Sequence, residues 1–392
     1  MNRFNLCDVI YFVELVQKFK SEVCNQIVTI APAVASKLTQ IGREMAVSVR
    51  DVARRAGVSV GTVSNVLNSP DKVSQKTAVV VQKAIDSLGF VRNDAARQLR
   101  AGKSRSIGLV VLDIRNPFFA EVSRGAEEAA KDYGLSVLFA NSDEDFDREN
   151  SLLVLFEEQR VAGILLSPLA SDLSEISRIR DRGTPVVLVD RKSRNKTFSS
   201  VSVDDVAGGF LAVEHLSQVG RKKIVFAGGP LEIEQIADRL KGAKKAAEAM
   251  GIKLELAVTK NLTVLEGRAL AAEILSRPKK LRPDGIFAAN DLLAIGIMQA
   301  LVVAPDVSIP NDIALVGYDD ISFAGTALIS LTSIRQPSLL IGAQAVELLM
   351  QETDPMSNFR RRQVVFQPEL VVRDSTRPQS PDRAKTFTQR SK

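Results

Sequence analysis

Residues 49–68 read Val-Arg-Asp-Val-Ala-Arg-Arg-Ala-Gly-Val-Ser-Val-Gly-Thr-Val-Ser-Asn-Val-Leu-Asn, and their pattern predicts the structure at the start of this chain. Apolar residues recur at helical spacing in each half, so the stretch predicts two short helices joined by a tight turn. Gly57 permits the left-handed backbone of that turn, and Ser59 is a good N-cap for the second helix. Such a pair places its second helix in the major groove of DNA. The stretch therefore indicates a DNA-binding helix-turn-helix.

Two further helical runs follow this pair. One is predicted over Ser74–Leu88, with Ser74 as its N-cap and Gly89 at its end. The next is short and basic, begins at Asn93, and carries Leu99 among polar neighbours with no long helix to bury it. A lone exposed leucine is ordinary in proteins. Beside a DNA-binding head, however, it suits a wedge that enters the minor groove and kinks the DNA.

From the helix-turn-helix onward, the motifs and their order resemble those of the lactose/galactose repressor (LacI–GalR) family. The resemblance covers about residues 46–375 and is carried by these segments: Asp51-Val52-Ala53, Ala56-Gly57-Val58-Ser59, Thr62-Val63-Ser64, Val66-Leu67-Asn68, Asn93 with Ala96 and Leu99, Ile107-Gly108-Leu109-Val110-Val111, Asn116-Pro117-Phe118-Phe119, Asn141-Ser142-Asp143, Gly317-Tyr318-Asp319-Asp320 and Pro368-Glu369-Leu370-Val371-Val372-Arg373. It implies an N-terminal all-α helix-turn-helix head and an α/β body. The body would have two lobes with doubly wound parallel sheets, as in periplasmic binding proteins.

For the DNA-binding head, the resemblance implies a homodimer whose paired heads bind a pseudo-palindromic operator in double-stranded DNA. Phosphate contacts would come from Ser59, Thr62 and Ser64. Base reading would come from Val60, Gly61 and Asn65, and the hinge helix would add Asn93 and Leu99. Many relatives have Arg at the Asn65 position, and Arg reads guanine whereas Asn suits adenine. We therefore expect the operator to differ from the commonest family sequence at this position.

Length and composition limit the number of domains and the class of protein. Its 392 residues are too many for one ordinary core, so two or three domains are expected. No apolar run reaches about 18 residues, so a membrane span is not expected. The two cysteines, Cys7 and Cys24, give no disulfide framework and fit a reducing cytoplasm. Residues 45–105 contain 11 Lys and Arg against 4 Asp and Glu, and such a basic head attracts DNA phosphates.

The predicted organisation has five parts. Residues 1–44 match no element of the family, and we interpret Met45 as the native start, with an extra dimerising helix as the alternative. The other parts are the helix-turn-helix domain over residues 45–92, the hinge helix and linker over 93–105, the effector-binding and dimerisation domain over 106–375, and a disordered basic tail over 376–392.

In the body, apolar runs of strand length alternate with helical stretches. The runs are Ile107–Leu112, Leu135–Asn141, Val161–Leu166, Val186–Asp190, Lys223–Gly228, Asp284–Ala289 and Ile313–Tyr318. Continuous Val, Ile and Leu strands separated by helices predict parallel sheets covered on both faces. Ligands of such sheets bind beyond the carboxyl ends of the strands, which here means the cleft between the lobes.

Polar and aromatic residues at these strand ends form the predicted effector site. They are Asn116, Phe118, Phe119, Asp190, Arg191, Arg239, Asn290, Asp319 and Gln336. A sugar needs hydrogen-bond acceptors and donors for its hydroxyls, and a flat apolar wall for its C–H face. The carboxylates and Asn290 can accept, the two arginines can donate, and a phenylalanine can supply the wall.

The same set resembles the sites of ribose-binding proteins and ribose repressors. Those sites often carry a second aromatic residue about five positions before Gly267, where this chain has Leu262. The prediction is therefore a monosaccharide effector, with a pentose favoured. Binding of the sugar is expected to release the protein from its operator.

Other functions remain open at this point. The ligand could be a corepressor such as a purine or a phosphorylated sugar, which Arg191 and Arg239 would suit, or a partner protein could set the activity.

A solute-binding protein is disfavoured by the helix-turn-helix and by the lack of a secretion signal. An enzyme with Asp319 and Asp320 as paired acids is disfavoured because adjacent strand residues point to opposite faces. The only histidine, His215, is interpreted as structural, and we expect no catalytic residue, cofactor or metal.

Overall fold

The computed structural model describes residues 47–90, 104–169, 172–193, 196–354 and 359–377. The chain divides into two compact units, residues 1–102 and residues 103–392. Asn93 and Leu99, residues 1–44 and the tail beyond residue 377 lie outside the described residues, so the predictions made for them stay predictions.

The first unit contains the predicted helix-turn-helix. Its helices are α1 (Val49–Ala56), α2 (Val60–Asn68) and α3 (Gln75–Leu88), with a 3-10 turn at Pro70–Lys72 between the last two. The turn residue Gly57 has a φ of +67°, which confirms the left-handed conformation predicted for it. The side chain of Ser59 accepts a hydrogen bond from the backbone N–H of Thr62, so Ser59 caps α2 as predicted. Residues Val52, Ala53, Val63, Val81 and Ala84 form the buried core of the head.

Lobe 1 of the body is built on a six-stranded parallel sheet. Its strands are β1 (Ser106–Val111), β2 (Ser136–Asn141), β3 (Ile164–Leu166), β4 (Val186–Val189), β5 (Ser199–Val203) and β11 (Gln363–Phe366). They lie side by side in the order β11-β5-β4-β3-β1-β2. The helices of this lobe are α4 (Pro117–Asp132), α5 (Phe146–Glu158), α6 (Ser174–Asp181) and α12 (Ser338–Thr353).

Lobe 2 has a second six-stranded sheet. Its strands are β6 (Lys223–Ala227), β7 (Lys253–Ala257), β8 (Gly285–Ala288), β9 (Ala314–Asp319), β10 (Thr332–Arg335) and β12 (Glu369–Val371). Their order is β12-β10-β9-β8-β6-β7, and among the strands of the described residues in this sheet only the β10–β12 pair is antiparallel. The helices of this lobe are α7 (Asp205–Gln218), α8 (Glu234–Met250), α9 (Val264–Ser276), α10 (Asp291–Val302) and α11 (Ser322–Thr326), with a 3-10 turn at Lys279–Leu281.

The chain passes between the lobes three times: after β5, after β10, and between β11 and β12. The central strands β3, β4 and β8 are buried along their whole length, as expected for parallel strands covered on both faces. The carboxyl ends of β1 and β4 in lobe 1 face a cleft that also receives the ends of β8 and β9 in lobe 2. This cleft brings together the side chains described next.

Candidate effector site and DNA-binding surface

Eight of the nine predicted effector residues line one cavity between the lobes. They are Asn116, Phe118, Phe119, Asp190, Arg239, Asn290, Asp319 and Gln336. The ninth, Arg191, is buried beside the cavity and forms an ion pair with Glu234, with 2.5 Å between Nη2 and Oε2. The sequence pattern could not distinguish Asp190 from Arg191, because neighbouring residues at a strand end project in different directions.

Asp319 links the two lobes at the centre of the cavity. Its carboxylate accepts hydrogen bonds from Asn116 Nδ2 of lobe 1 and from Gln336 Nε2 at the second crossover, each at 2.8 Å. Asp319 ends β9 with a φ of +102°, a strained conformation for a residue with a side chain. Burial raises the pKa of Asp319, while the charge of Arg239 opposes that shift.

Arg239 is held by groups that sequence reasoning missed. Its Nε donates to Asp205 Oδ1 at 2.8 Å, and its Nη1 donates to the carbonyl oxygen of Ala289 at 2.7 Å. The guanidinium lies 3.7 Å from the centroid of the Tyr318 ring. Burial by itself lowers the pKa of Arg239, but Asp205, Tyr318 and other nearby acids raise it by more. The pKa is therefore raised and the guanidinium stays charged.

Asp190 faces the cavity with a left-handed backbone, φ +55°. Gln235, which sequence reasoning also missed, donates through Nε2 to the backbone oxygen of Asp190 at 2.6 Å and to its Oδ2 at 3.2 Å. Burial and then the nearby charge of Asp205 raise the pKa of Asp190 to about 8. Its carboxyl group is therefore protonated over part of the neutral pH range.

Three buried oxygen atoms of cavity-lining residues have no hydrogen-bond partner among the described residues. They are Asp190 Oδ1, Gln235 Oε1 and Gln336 Oε1. An unsatisfied buried polar atom costs about 1–3 kcal/mol. Because the amide oxygens are acceptors, a ligand rich in hydroxyl donors would satisfy this set.

The apolar part of the cavity comes from the start of α4. Asn116 caps the helix by accepting from the N–H of Phe118 at 3.1 Å, and Pro117 occupies its first position. This holds Phe118 and Phe119 edge to face, with 5.1 Å between ring centroids. A sugar ring can therefore lie against an aromatic wall from lobe 1.

Asn290 lines the cavity but is partly used by the fold. Its Oδ1 accepts from the N–H of Leu293 at 2.9 Å and so caps α10, while its Nδ2 donates to the carbonyl oxygen of Leu262 at 3.2 Å. Leu262 lines the cavity at the place where a second aromatic residue is common in ribose sites.

The lobes are closed over the cavity in this structure. Its volume is about 50 Å³, whereas pockets that hold small ligands commonly have about 300–1,000 Å³. Three cross-lobe contacts hold the cleft shut: Asn116 with Asp319, Asp190 with Gln235, and Arg191 with Glu234. Entry of a sugar therefore requires these contacts to separate.

In the head, the residues predicted to read bases are exposed on α2. The side chains of Val60 and Asn65 and the backbone of Gly61 are accessible. The hydroxyl of Ser59 is already hydrogen-bonded to the N–H and the side chain of Thr62, and Ser64 Oγ accepts from Asn68 at 3.2 Å. Exposed arginines at positions 50, 54 and 55 on α1 add a basic surface that sequence reasoning did not single out.

Two family models match the chain: bacterial regulatory proteins of the lacI family over residues 48–93, and a periplasmic binding protein-like domain over residues 213–376. The ribose operon repressor of Escherichia coli (strain K12) is 33% identical over 334 residues, which cover 84% of this chain and 99% of that repressor. The chain belongs to the LacI family. This LacI-family protein is also 32% identical to the HTH-type transcriptional repressor PurR of Photobacterium profundum over 337 residues. These residues cover 84% of this chain and 98% of that repressor.

Solved structures of LacI-family proteins agree with the fold. The lac repressor dimer bound to operator and an anti-inducer has a TM-score of 0.73 at 25% identity, covering 85% of this chain and all of that chain. A LacI-family regulator from Enterococcus faecium with bound ribose has a TM-score of 0.63 at 28% identity, covering 70% of this chain and all of that one. The family resemblance and the predicted fold are confirmed, and the protein is a DNA-binding transcriptional regulator. No helix among the described residues is long and apolar enough to cross a membrane.

Proposed function

We propose that this LacI-family protein is a homodimeric repressor of sugar-utilisation genes that a monosaccharide, with a pentose such as ribose favoured, releases from its operator. The observation that carries the proposal is the cavity in which Asn116, Gln336 and Arg239 surround Asp319 beside an aromatic wall. Support also comes from the ribose operon repressor of Escherichia coli and from the ribose-bound relative from Enterococcus faecium.

The chemistry of the cavity matches a polyhydroxylated ring. Carboxylate and amide oxygens accept from sugar hydroxyls, and the Arg239 guanidinium donates through the N–H groups that its bonds to Asp205 and Ala289 leave available. Phe118 and Phe119 offer a face to the C–H groups of the ring. The unsatisfied oxygens of Gln235 and Gln336 supply acceptors, and Asp190 Oδ1 accepts when the carboxyl group is ionised and donates when it is protonated.

The position of the site between the lobes supports a role for the sugar in release from DNA. A sugar that bridges lobe 1 and lobe 2 favours the closed arrangement, and the sugar releases DNA to the extent that it binds the released state better. Couplings of about 1–3 kcal/mol, or roughly 5–150-fold in affinity, are typical. Operator DNA must weaken sugar binding by the same factor, because coupling between two ligands is reciprocal.

Titration calorimetry with a monosaccharide panel tests the effector. We expect the wild-type protein to bind at least one pentose, and Asp319→Asn to weaken that binding about tenfold or more, since hydrogen bonds to charged groups contribute about 1.5–3 kcal/mol. Asp306→Asn is the matched control, because Asp306 pairs with Arg282 at 2.8 Å and does not line the cavity.

A purine corepressor is the second candidate, because the PurR relative is as similar to this chain as the ribose repressors are. The same calorimetry with purine bases separates the two functions. Binding of a purine that tightens operator affinity, with no response to any sugar, would replace the sugar proposal.

A further inference from the structure

Two carboxylates that the sequence analysis did not single out line the lobe 1 side of the cavity. Asp113 follows β1, and Glu144 follows β2, the strand paired with β1. Neither residue is among the partners of Asp319 described above, Asn116, Gln336 and Arg239. Their position makes them part of the surface that a bound ligand meets.

Local hydrogen bonds fix the turn that carries Glu144. Both Asp143 and Glu144 adopt left-handed backbone conformations, with φ of 57° and 55°. The N–H of Glu144 donates to the carbonyl oxygen of Leu112 at 3.0 Å, and Asn141 Oδ1 accepts from the N–H groups of Ile114 and Asp143. Strained backbone of this kind, held by surrounding contacts, is characteristic of functional sites.

Acidic groups outnumber basic groups among the described residues that line the cavity. In the described part of the chain, its lining includes four carboxyl groups, those of Asp113, Glu144, Asp190 and Asp319, against the single guanidinium of Arg239. That guanidinium is paired with a fifth carboxylate, Asp205. Even with Asp190 protonated, acidic groups outnumber the cation.

The other nearby arginines are also paired with acids. Arg115 lies 2.8 Å from Asp113 and 3.1 Å from Asp143, and Arg191 pairs with Glu234. Burial, followed by the charge of Asp113, raises the pKa of Glu144, while Arg115 lowers it. A further negative charge brought into the cavity would therefore be repelled.

We propose that Glu144, together with Asp113, is a specificity-determining residue that rejects phosphorylated sugars, so that the effector is the unphosphorylated sugar. The inference rests on the proposed sugar effector. A phosphate monoester carries a charge of about −1.5 to −2 at pH 7. In sequence, Arg191 and Arg239 suit such a phosphate, but in the structure each arginine is already paired with a carboxylate.

The experiment is calorimetry on the full chain with matched pairs: ribose against ribose 5-phosphate, and glucose against glucose 6-phosphate. We expect the wild-type protein to bind the neutral member of at least one pair about 100-fold more tightly than its phosphate. Glu144→Gln keeps the shape of the side chain and should reduce the ratio of the two affinities, neutral sugar over phosphate, about tenfold or more. A tenfold reduction is a change of roughly 1.4 kcal/mol in the difference between the two binding free energies. The wild-type ratio should also shrink at high salt, because salt screens the repulsion.

Asp143→Asn is the matched control. It removes the same charge from the adjacent residue, whose side chain is 43% exposed and does not line the cavity, and Asn tolerates the left-handed backbone. The ratio of the two affinities should stay within about twofold of wild type. Asp113→Asn is a second test in case Glu144→Gln does not fold, which a thermal melt would show.

Equal wild-type affinities for a sugar and its phosphate would overturn the inference and leave the sugar function standing. A ratio of sugar affinity to phosphate affinity that stays unchanged in the folded Glu144→Gln and Asp113→Asn variants would also overturn the inference. Binding of a purine with no neutral sugar bound would instead overturn the proposed function, and this inference with it.

Discussion

At the scale of single residues, Asp190 shows how the closed cleft alters an ordinary carboxyl group. The side chain is 4% exposed, lies near Asp205 and is held by Gln235. Its pKa of about 8 means that the folded protein retains a proton that the unfolded chain loses near pH 4. Ionising this buried group therefore destabilises the folded state as the pH rises.

Asp190 should make the protein less stable as the pH rises from about 4 to about 8. In that range the native state binds one more proton than the unfolded state, so the free energy of unfolding falls by at most about 1.4 kcal/mol per pH unit for this group. Asp190→Asn should remove this part of the pH dependence. Urea unfolding of both proteins between about pH 5 and pH 9 measures the free energy of unfolding against pH. If it falls equally with pH in both proteins, Asp190 is not the group responsible.

The residues of the candidate site were predictable to the extent that strand ends are visible in sequence. Asn116, Asp319 and Gln336 follow apolar runs, and the structure brings them together. Asp205, Gln235 and Tyr318 were missed because their roles depend on contacts between lobes or between distant elements. Arg191 was assigned to the ligand, but its ion pair with Glu234 across the cleft is visible only in three dimensions.

At the scale of secondary structure, the crossing of α7 and α8 positions Arg239 against Asp205. Gly209 and Gly242 lie at this crossing, where an added Cβ would stand 2.0 Å from the backbone oxygens of Arg239 and Val206. Such distances do not occur between packed atoms. The two helices approach this closely because glycine has no side chain.

Gly209→Ala should force α7 and α8 apart. We expect a loss of about 1–3 kcal/mol in the free energy of unfolding, as for other overpacked sites. Gly325→Ala is the control, because a Cβ added there would meet nothing closer than 3.9 Å. Chemical denaturation of both variants measures the effect, and equal stability would show that the helices can separate without cost.

On the exposed face of α2, Asn65 is one of the residues that we predict to read bases. Asn65→Arg should change the preferred base at one position of each operator half-site from adenine toward guanine, because Arg pairs with guanine in the major groove. Selection of binding sites from a random DNA library measures the preference. The same preferred base in both proteins would show that another residue reads this position.

Strands were predictable only where apolar residues dominate. The runs predicted for β1, β4 and β8 form strands, whereas β5 was missed because its sequence is Ser-Ser-Val-Ser-Val. Two of its serines are buried with hydrogen bonds: Ser199 donates to Glu352, and Ser200 accepts from the N–H of Ser193. Hydrophobic periodicity cannot show such satisfied polar groups.

At the scale of the whole molecule, lobe 2 presents an apolar surface that fits the proposed homodimer. A groove of about 930 Å³ runs between α9, α10 and α11. Leu328, Val303 and Phe323 line it with exposures of 81%, 80% and 56%. Monomeric proteins rarely expose contiguous apolar patches of this kind, and the lac repressor structure with the same fold is a dimer.

Leu328→Glu should therefore weaken dimerisation, because a charge would be buried in an apolar interface. Light scattering across a dilution series should show monomers at concentrations where the wild-type protein is dimeric. Val258→Glu, at an exposed valine that does not line the groove, should leave the dimer intact. A dimeric Leu328→Glu variant would place the interface elsewhere.

Fluorescence anisotropy of an operator fragment bound to the full chain, titrated with the sugar that calorimetry identifies, measures directly whether the sugar releases the protein from DNA. We expect the sugar to weaken operator affinity about 5–150-fold, and Asp319→Asn to retain operator binding but to need about tenfold or more sugar for release. Operator affinity that sugar leaves unchanged or strengthens would contradict the central claim that a monosaccharide in this cleft releases the protein from DNA.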